Sequence, residues 1–410
     1  MNKRRIVVTG LGLVTPVGIG VKESWKNIVD GVSGIAKISK FDATNFSSQI
    51  AGEVKDFDPI NYLNPKEARR MDTFIQYGLV SGIEAIKDSG FEISESNAHR
   101  IGVSIGSGIG GLGLIESTND TYDNGGPRKV SPFFIPGTII NMISGNLSIM
   151  FGLKGPNVSI VTACTTGTHS IGDAARMIGY GDADIMVAGG SEAAITELSV
   201  AGFASAKALS SRNDDPATAS RPWDRDRDGF VIGEGSGVMV LEEYEHAKKR
   251  GAKIYCELVG YGMSADAYHI TAPSIAGPKQ SMLNAINDAG VNVDDINYIN
   301  AHGTSTPLGD LNETNAIKET LGAHAYDCVI NSTKSMTGHL LGGAGGIESV
   351  FTVLAVHNQI SPPTINIFNQ DPECDLDYVA NEAREMTINA ALKNNFGFGG
   401  TNGSLVFKKI

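Results

Sequence analysis

The chain has 410 residues, of which 41% are hydrophobic and 19% charged, so it can bury a large core and is not a disordered protein. Its 33 basic residues are outnumbered by 45 acidic ones, and the resulting net charge of −12 argues against sequence-independent binding of nucleic acid. No apolar stretch reaches the ~20 residues that span a bilayer, and no signal-peptide pattern precedes the first strand pattern, so we expect no membrane association and a cytoplasmic location. Four scattered cysteines without a CxxC pattern predict neither a disulfide framework nor a zinc site.

Short runs rich in valine and isoleucine alternate with helical patterns along the whole chain. Runs typical of strands buried on both faces cover residues 5–10, 101–106, 158–162, 185–190, 238–241, 255–260, 296–301, 329–333, 378–380 and 404–407. Helices are predicted between them at residues 21–29, 65–88, 167–178, 278–289, 311–321 and 345–357. This alternation predicts an α/β fold with largely parallel strands. The pattern runs through two series, 1–250 and 251–410, which predict two similar halves packed as one body.

A glycine-rich turn follows the second predicted strand. The segment Gly106–Gly111 satisfies the GxGxxG pattern of dinucleotide-binding turns. That reading needs an acidic residue at the end of a second strand about 20 positions on, whereas Glu116, Asp120 and Asp123 lie in a polar stretch without one. A simple tight turn is favoured, and a nicotinamide-dependent oxidoreductase is kept as the alternative from another functional class.

Cys164 is the strongest candidate for chemistry, because it stands between an apolar run and a predicted helix in Val161–His169. A cysteine at a helix N-terminus lies near the positive end of the helix dipole and near free N–H groups, which favour the thiolate over the thiol. Its own N–H group can also hold a developing oxyanion. The alternative is a buried structural cysteine, which is the commoner role of a lone cysteine.

Two histidines and a lysine follow predicted strands in the second half. His302 lies in Asn300–Pro307, and Lys334 and His339 lie in Lys334–Gly346, ahead of Glu348 on a predicted helix. Catalytic groups of α/β proteins collect at the carboxyl ends of strands, so Cys164 and the two histidines are expected to meet there. No carboxylate or third histidine stands at ligand spacing, so no metal is predicted.

The last signal is Asn395–Gly403, in which Phe396 and Phe398 stand among glycines. Glycines let the backbone approach a ligand closely, and a phenylalanine can open or close an apolar tunnel. The pattern indicates a flexible loop with bulky apolar tips, a tight β-turn, or both.

With these motifs, and with the stretches 221–224 and 228–235, the sequence resembles the β-ketoacyl-acyl-carrier-protein synthases, most closely the bacterial type that elongates fatty acids. The resemblance covers essentially the whole chain. It implies a thiolase-like fold, with two similar α/β halves in a layered αβαβα body. It further implies a decarboxylative Claisen condensation of an acyl chain with malonyl-acyl carrier protein, giving β-ketoacyl-acyl carrier protein and CO₂. No cofactor, a homodimer and the bacterial cytosol are also implied.

The resemblance also implies a role for each matched catalytic residue. Cys164 becomes acylated, and His302 and His339 donate hydrogen bonds to the malonyl thioester carbonyl. The backbone N–H groups of Cys164 and Phe398 form an oxyanion hole, and Phe398 acts as a gate. Lys334 and Glu348 form a supporting ion pair.

Substrate and partner contacts are implied in the same way. Thr304 and Thr306 contact the pantetheine arm, Ile109 closes the inner end of the acyl pocket, and Phe203 and Phe396 also bind substrate. Phe134 matches a position where the partner subunit borders that pocket. The acidic carrier protein is expected to dock on a basic patch made of Lys66, Arg69 and Arg70, with Arg128 and Lys129 as secondary candidates. The alternative for this patch is an ordinary solvated face.

Two rivals of the same fold stay open. One is a polyketide ketosynthase, which differs only in its acyl substrate. The other is a non-catalytic partner subunit that sets chain length, against which the presence of Cys164 argues.

Overall fold

The computed structural model describes residues 4–410. Its strands are β1 Ile6–Thr15, β2 Gly18–Ile19, β3 Ala36–Lys37, β4 Ile50–Ala51, β5 Ile101–Gly106, β6 Asn157–Val158, β7 Ile185–Glu192, β8 Gly235–Glu243, β9 Cys256–Ala265, β10 Ile296–Asn300, β11 Val329–Asn331, β12 Ile360–Ser361, β13 Arg384–Glu385, β14 Ala390–Gly397 and β15 Thr401–Lys408. Its α-helices are α1 Val21–Val29, α2 Pro65–Ala68, α3 Thr73–Ser89, α4 Leu112–Gly125, α5 Phe134–Thr138, α6 Met142–Phe151, α7 Thr166–Tyr180, α8 Glu197–Ser205, α9 Tyr244–Lys249, α10 Ala276–Ala289, α11 Pro307–Leu321, α12 Lys334–Thr337 and α13 Ala344–Asn358. None of these helices is long and apolar enough to cross a membrane.

One large mixed sheet organises the molecule, in the order β11-β10-β14-β15-β9-β1-β8-β7-β5-β6, with β2 added to β1. Its two halves repeat one pairing pattern. In the first half β1 pairs with β8, β8 with β7, β7 with β5 and β5 with β6. In the second half β9 pairs with β15, β15 with β14, β14 with β10 and β10 with β11. They join through a short antiparallel contact between β1 and β9. The predicted α/β body of two similar halves is therefore confirmed, while the division at residue 250 stays a prediction.

The prediction of largely parallel strands is wrong. Parallel pairing is confined to β7-β5-β6 and β14-β10-β11, while the middle of the sheet, from β14 to β7, is antiparallel throughout. The physical reason is that the last strand of each half lies beside the first strand and runs in the opposite direction. In the second half a hairpin joins β14 to β15, and because a hairpin reverses the chain the two strands are antiparallel.

The two halves of the sheet pack on either side of α7 and α13, which share an apolar core with both of them. Helix α3 covers the outer face of the first half and α10 that of the second, each over its own apolar core. The two inner helices approach closely at a pair of glycines, since a Cβ added to Gly167 would lie 2.4 Å from the nitrogen of Gly346. This close approach brings the start of α7 beside the start of α13.

Several predicted elements differ from the observed ones. The single helix predicted at 65–88 is two helices, because Asp72 caps the start of α3 by accepting from the Phe74 N–H at 3.2 Å. The strand predicted at 158–162 ends at Val158, and the following residues turn toward α7. Of residues 378–380, only Ala380 forms an isolated bridge, with Thr364, and β14 was not predicted.

Candidate active site

Cys164 lies in a single 3₁₀ turn, Ala163–Thr165, directly before α7. Ala163 has φ +48°, in the left-handed region that residues with a side chain rarely occupy. The Thr166 hydroxyl supports the turn by donating to the Ala163 carbonyl at 2.8 Å and accepting from the Thr162 N–H at 2.9 Å. The chain thus uses a strained, braced turn to place the thiol at the start of the helix.

Two backbone N–H groups face the sulfur, one from Cys164 itself and one from Phe398. Phe398 stands at the tip of the β14–β15 hairpin, and its ring lies 6.3 Å from that of Phe203. The Gly399 N–H fixes the tip by donating to the Ile270 carbonyl at 2.7 Å. Such a pair of N–H donors is what an oxyanion developing on a thioester carbonyl requires.

The charge state expected for this sulfur is corrected by the structure. Burial raises the pKa of the Cys164 thiol to about 11, and the Phe398 N–H and the Lys334 ammonium only partly offset that effect. The side chain is only 7% exposed, so the cost of removing a thiolate from water exceeds the benefit of the helix N-terminus. The unloaded protein therefore holds Cys164 as a thiol near neutral pH, and the predicted preference for the thiolate is wrong for this state.

The two predicted histidines lie together in the same cavity as Cys164. The ring centroids of His302 and His339 are 5.3 Å apart, and the rings are almost perpendicular. Burial holds both pKa values well below the usual range, and the nearby Lys334 ammonium lowers them further. Both imidazoles are therefore neutral near pH 7, so each can offer an N–H donor without carrying a charge.

Lys334 and Glu348 form a buried ion pair behind His302. The Lys334 ammonium also donates to the His302 carbonyl at 2.6 Å, which ties the histidine loop to the pair. Burial acts to raise the pKa of Glu348, but Lys334 and Lys393 together outweigh it and hold that pKa below its usual range. Glu348 thus keeps its charge in a site with almost no access to water.

Two buried residues of this site were missed by the sequence reasoning. Glu313 on α11 accepts from the N–H groups of His302 and Gly303 at 2.8 and 2.7 Å, which holds the histidine loop in place. Lys393 on β14 lies 2.8 Å from the second Glu348 oxygen. The available signal was a lysine directly after the apolar run 390–392 and just before the glycine-rich segment 395–403.

The cavity has a volume of about 560 Å³ and a mostly apolar lining. Its lining includes the predicted substrate contacts, namely Ile109, Phe203, Thr304, Thr306 and Phe396. The Thr304 and Thr306 hydroxyls are 3.0 Å apart at the start of α11, and the exposed loop residue His269 lines the same space. A chamber of this size accommodates a flexible apolar chain together with a polar arm.

The remaining predicted residues lie away from the cavity. Phe134 begins α5 and is half-buried. Lys66 and Arg69 are exposed at α2, a single turn of helix, and the neighbouring Arg70 stacks over the ring of Phe133 at 3.8 Å. The secondary candidates Arg128 and Lys129 are exposed in the short turn after α4.

The glycine-rich turn after β5 is occupied by a carboxylate of the protein itself. Glu192, fully buried at the end of β7, accepts from the N–H groups of Gly108 at 2.8 Å and Ile109 at 3.1 Å. It also accepts from the Ser107 hydroxyl at 2.6 Å and the Gly342 N–H at 2.9 Å. These are the donors that a pyrophosphate would need, so the dinucleotide interpretation of Gly106–Gly111 has no support in the structure.

Family models match two consecutive parts of the chain. Residues 3–247 match the β-ketoacyl synthase N-terminal domain, and residues 255–368 match the β-ketoacyl synthase C-terminal domain. The chain belongs to the β-ketoacyl synthase family. The family resemblance stated from the sequence motifs is thereby confirmed.

Relatives named 3-oxoacyl-[acyl-carrier-protein] synthase 2 align over the whole chain and their own whole length. The protein of Vibrio harveyi is 60% identical and that of Coxiella burnetii 56% identical, each with 100% of both chains covered. Among solved structures, a type II polyketide ketosynthase in complex with its acyl-carrier protein and bound to a hexaketide superposes with a TM-score of 0.93, at 37% identity and full coverage of both chains. A β-ketoacyl synthase of Burkholderia phymatum gives 0.92 at 34% identity, covering 99% of this chain and 100% of that one.

Proposed function

We propose that this β-ketoacyl synthase elongates fatty acids by condensing an acyl chain, held as acyl-Cys164, with malonyl-acyl carrier protein. The products are β-ketoacyl-acyl carrier protein and CO₂. The observation that carries the proposal is the meeting of Cys164, His302 and His339 in one largely apolar cavity, with two N–H donors at the sulfur. The relatives that are 52–60% identical over at least 99% of the chain support the same activity by their name.

In the first half-reaction, the Cys164 sulfur attacks the carbonyl carbon of the acyl thioester. The negative charge on the carbonyl oxygen develops between the N–H groups of Cys164 and Phe398. The bond from carbon to the carrier-protein sulfur then breaks, and the proton lost by Cys164 leaves with that sulfur as a thiol. The chemistry is covalent catalysis by a thiol that is deprotonated only as it reacts.

In the second half-reaction, malonyl-acyl carrier protein replaces the departed thiol. His302 and His339 donate to its thioester oxygen, so the electron pair released by loss of CO₂ is held as an enolate. The enolate carbon attacks the acyl carbon, and the bond to the Cys164 sulfur breaks. Solvent then returns a proton to that sulfur, which the raised pKa of Cys164 favours.

Substrate positions follow from the lining of the cavity. Thr304 and Thr306 are suited to hydrogen-bond the amides of a pantetheine arm, because both residues line the cavity and their hydroxyls lie 3.0 Å apart. Ile109, Phe203 and Phe396 give the apolar walls for an acyl chain, and Phe398, which is 39% exposed at a glycine-rich hairpin tip, is placed to act as the gate.

The partners are proposed on separate grounds. Acyl carrier protein is expected to dock at Lys66, Arg69 and Arg70, and the similar polyketide ketosynthase was solved in complex with its own acyl-carrier protein. A homodimer is supported by exposed apolar side chains on α6, which contacts the edge strand β6, and on the neighbouring helix α5. The bacterial cytosol is supported by four free cysteines, since thiols persist in reducing compartments.

A polyketide ketosynthase remains the second candidate, because such an enzyme has nearly the same backbone. Its identity to this chain is 37%, against 52–60% for the relatives named 3-oxoacyl-[acyl-carrier-protein] synthase 2, so the straight-chain substrate is favoured. Turnover of straight-chain acyl-acyl carrier protein separates the two, because a polyketide enzyme would reject it in favour of a poly-β-keto chain.

The nucleophile assignment is tested with Cys164→Ala. We expect this variant to lose condensation of acyl- and malonyl-acyl carrier protein entirely, while it still releases CO₂ from malonyl-acyl carrier protein, because both histidines remain. Radiolabelled CO₂ release and mass spectrometry of the acyl product measure the two reactions. Cys256→Ala, which removes a buried thiol outside the cavity, is the matched control and should retain condensation. Condensation by Cys164→Ala at the unmodified rate would contradict the assignment.

A further inference from the structure

Lys393 is a fully buried ammonium group on β14, next to the active site but outside the cavity lining. It contacts Glu348 Oε2 at 2.8 Å and donates to Asn395 Oδ1 at 2.8 Å and to the Asn394 carbonyl. A buried lysine is costly unless its charge is paired, so a lysine with such contacts calls for an explanation beyond packing.

Lys393 belongs to a buried cluster of ionisable side chains. Glu348 of α13 lies against it, Glu313 of α11 and Lys334 of α12 act on it through space, and His302 and His339 are both affected by its charge. Two acidic and two basic side chains thus meet in one buried cluster. Burial lowers the pKa of Lys393 to about 8, while Glu348 opposes that shift, so the ammonium form prevails at neutral pH.

The Asn395 side chain links Lys393 to His302. Its oxygen accepts from the Lys393 ammonium and from the Thr168 hydroxyl, so its amide nitrogen must face the other way. That nitrogen donates to Glu348 Oε2 at 2.9 Å and to His302 Nδ1 at 3.3 Å. An Nδ1 that accepts a hydrogen bond carries no proton, so the proton of the neutral His302 ring stands on Nε2.

His339 has no equivalent device. Its Nδ1 has no hydrogen-bond partner among the residues that the structure describes. The protein therefore specifies the tautomer of one imidazole through a side-chain relay, and that relay begins at Lys393.

We propose that Lys393 is a positioning residue, whose ammonium orients the Asn395 amide and thereby holds His302 as an Nε2–H donor for the malonyl thioester oxygen. The proposal rests on the proposed function, since it assigns a purpose to the donor that stabilises the enolate. It predicts an effect on the malonyl half-reaction and none of similar size on acyl transfer to Cys164.

The first test is Lys393→Met, which keeps the length of the side chain without its charge, measured in the two half-reactions separately. We expect CO₂ release from malonyl-acyl carrier protein to fall about tenfold or more, the effect of losing one charge-assisted hydrogen bond. Acylation of Cys164, followed by mass spectrometry, should change less than about twofold. Lys408→Met, on the exposed end of β15, is the matched control and should alter neither.

A parallel fall in both half-reactions would overturn the proposal, because a lysine with a merely structural role affects the whole cavity. No fall in either would also overturn it, because Lys393 would then have no effect on the His302 donor. In Asn395→Leu, the substitution Lys393→Met should have no further effect on CO₂ release. Failure of the proposed function is distinguishable, since the unmodified protein would then release no CO₂ from malonyl-acyl carrier protein at all.

The second test needs no substitution. Long-range proton–nitrogen NMR of protein labelled with ¹⁵N-histidine reports the tautomer of each ring, and His302→Gln identifies its signal. We expect the proton of His302 on Nε2. A proton on Nδ1 would overturn the proposal, even if Lys393→Met failed to fold.

Discussion

At Cys164 two physical effects oppose each other. Its place before α7 and the N–H groups of Phe398 and of its own backbone stabilise a thiolate, while burial in an apolar chamber destabilises it. Sequence reasoning captured the first effect, because the position of a cysteine at a predicted helix start is visible in the sequence. It could not capture the second, because Phe203, Phe230 and Leu341 reach the cavity from distant segments.

The outcome of this opposition predicts how the thiol reacts with pH. We expect the rate at which iodoacetamide alkylates Cys164 to rise about tenfold per pH unit from about pH 7 to about pH 10, because the reactive thiolate is a small fraction below a pKa of about 11. Mass spectrometry of the Cys164 peptide measures the rate, and a free cysteine peptide is the control. A rate that levels off near neutral pH would show that the helix N-terminus and the N–H groups prevail.

At the scale of elements, apolar periodicity predicted the helices and strands whose own sequence carries a clear apolar pattern. The helix at 21–29 and the strand at 101–106 match the structure at both ends. Strand β14 was not predicted because Lys393, Asn394 and Asn395 interrupt its apolar run. These polar side chains can be buried in a sheet only because they form hydrogen bonds, several of them with distant residues. The helix start beside Cys164 and the strand end before His302 were predictable. Glu192, which binds the Gly106–Gly111 turn, and Glu313, which holds the His302 loop, were not, because each binds backbone N–H groups of another segment.

The edge of the sheet at β6 gives the prediction at this scale. Ile149 is 79% exposed on α6, a helix that contacts β6, and Ile135 is 59% exposed on the neighbouring helix α5. Strand β6 pairs on one side only. Exposed apolar side chains beside an open strand edge are characteristic of an interface between subunits. We expect the unmodified protein to sediment at about twice 43.2 kDa, and the double substitution Ile135→Glu and Ile149→Glu to shift it toward one chain.

Tyr180→Glu is the matched control for this experiment, because Tyr180 is 81% exposed at the far end of α7. Its mass should remain that of the dimer. A single-chain mass for the unmodified protein, or an unchanged mass for the double variant, would contradict an interface at this edge.

At the scale of the whole molecule, the negative net charge opposes the binding of an acidic carrier protein. A net charge of −12 repels an acidic partner at long range, so any productive encounter depends on a local positive surface. In the patch at α2, Lys66 and Arg69 are exposed and have no ion-pair partner among the described residues, while the guanidinium of Arg70 stacks over the ring of Phe133. Lysines 248 and 249 on α9 offer a comparison patch, exposed as well but next to Glu245.

Reversing the charge of the α2 patch should therefore weaken docking, and the loss of affinity should be smaller at higher ionic strength. For Lys66→Glu with Arg69→Glu, we expect affinity for acyl carrier protein to fall about tenfold at about 0.01 M ionic strength, and much less at about 0.15 M, where charges farther apart than ~8 Å are screened. Fluorescence anisotropy of labelled carrier protein measures both. The pair Lys248→Glu and Lys249→Glu changes the net charge of the enzyme by the same amount, so it separates a local docking effect from the overall repulsion. Equal losses in the two double variants would mean that the carrier protein responds to the whole charge of the enzyme, and an unchanged affinity at low salt would place the docking surface elsewhere.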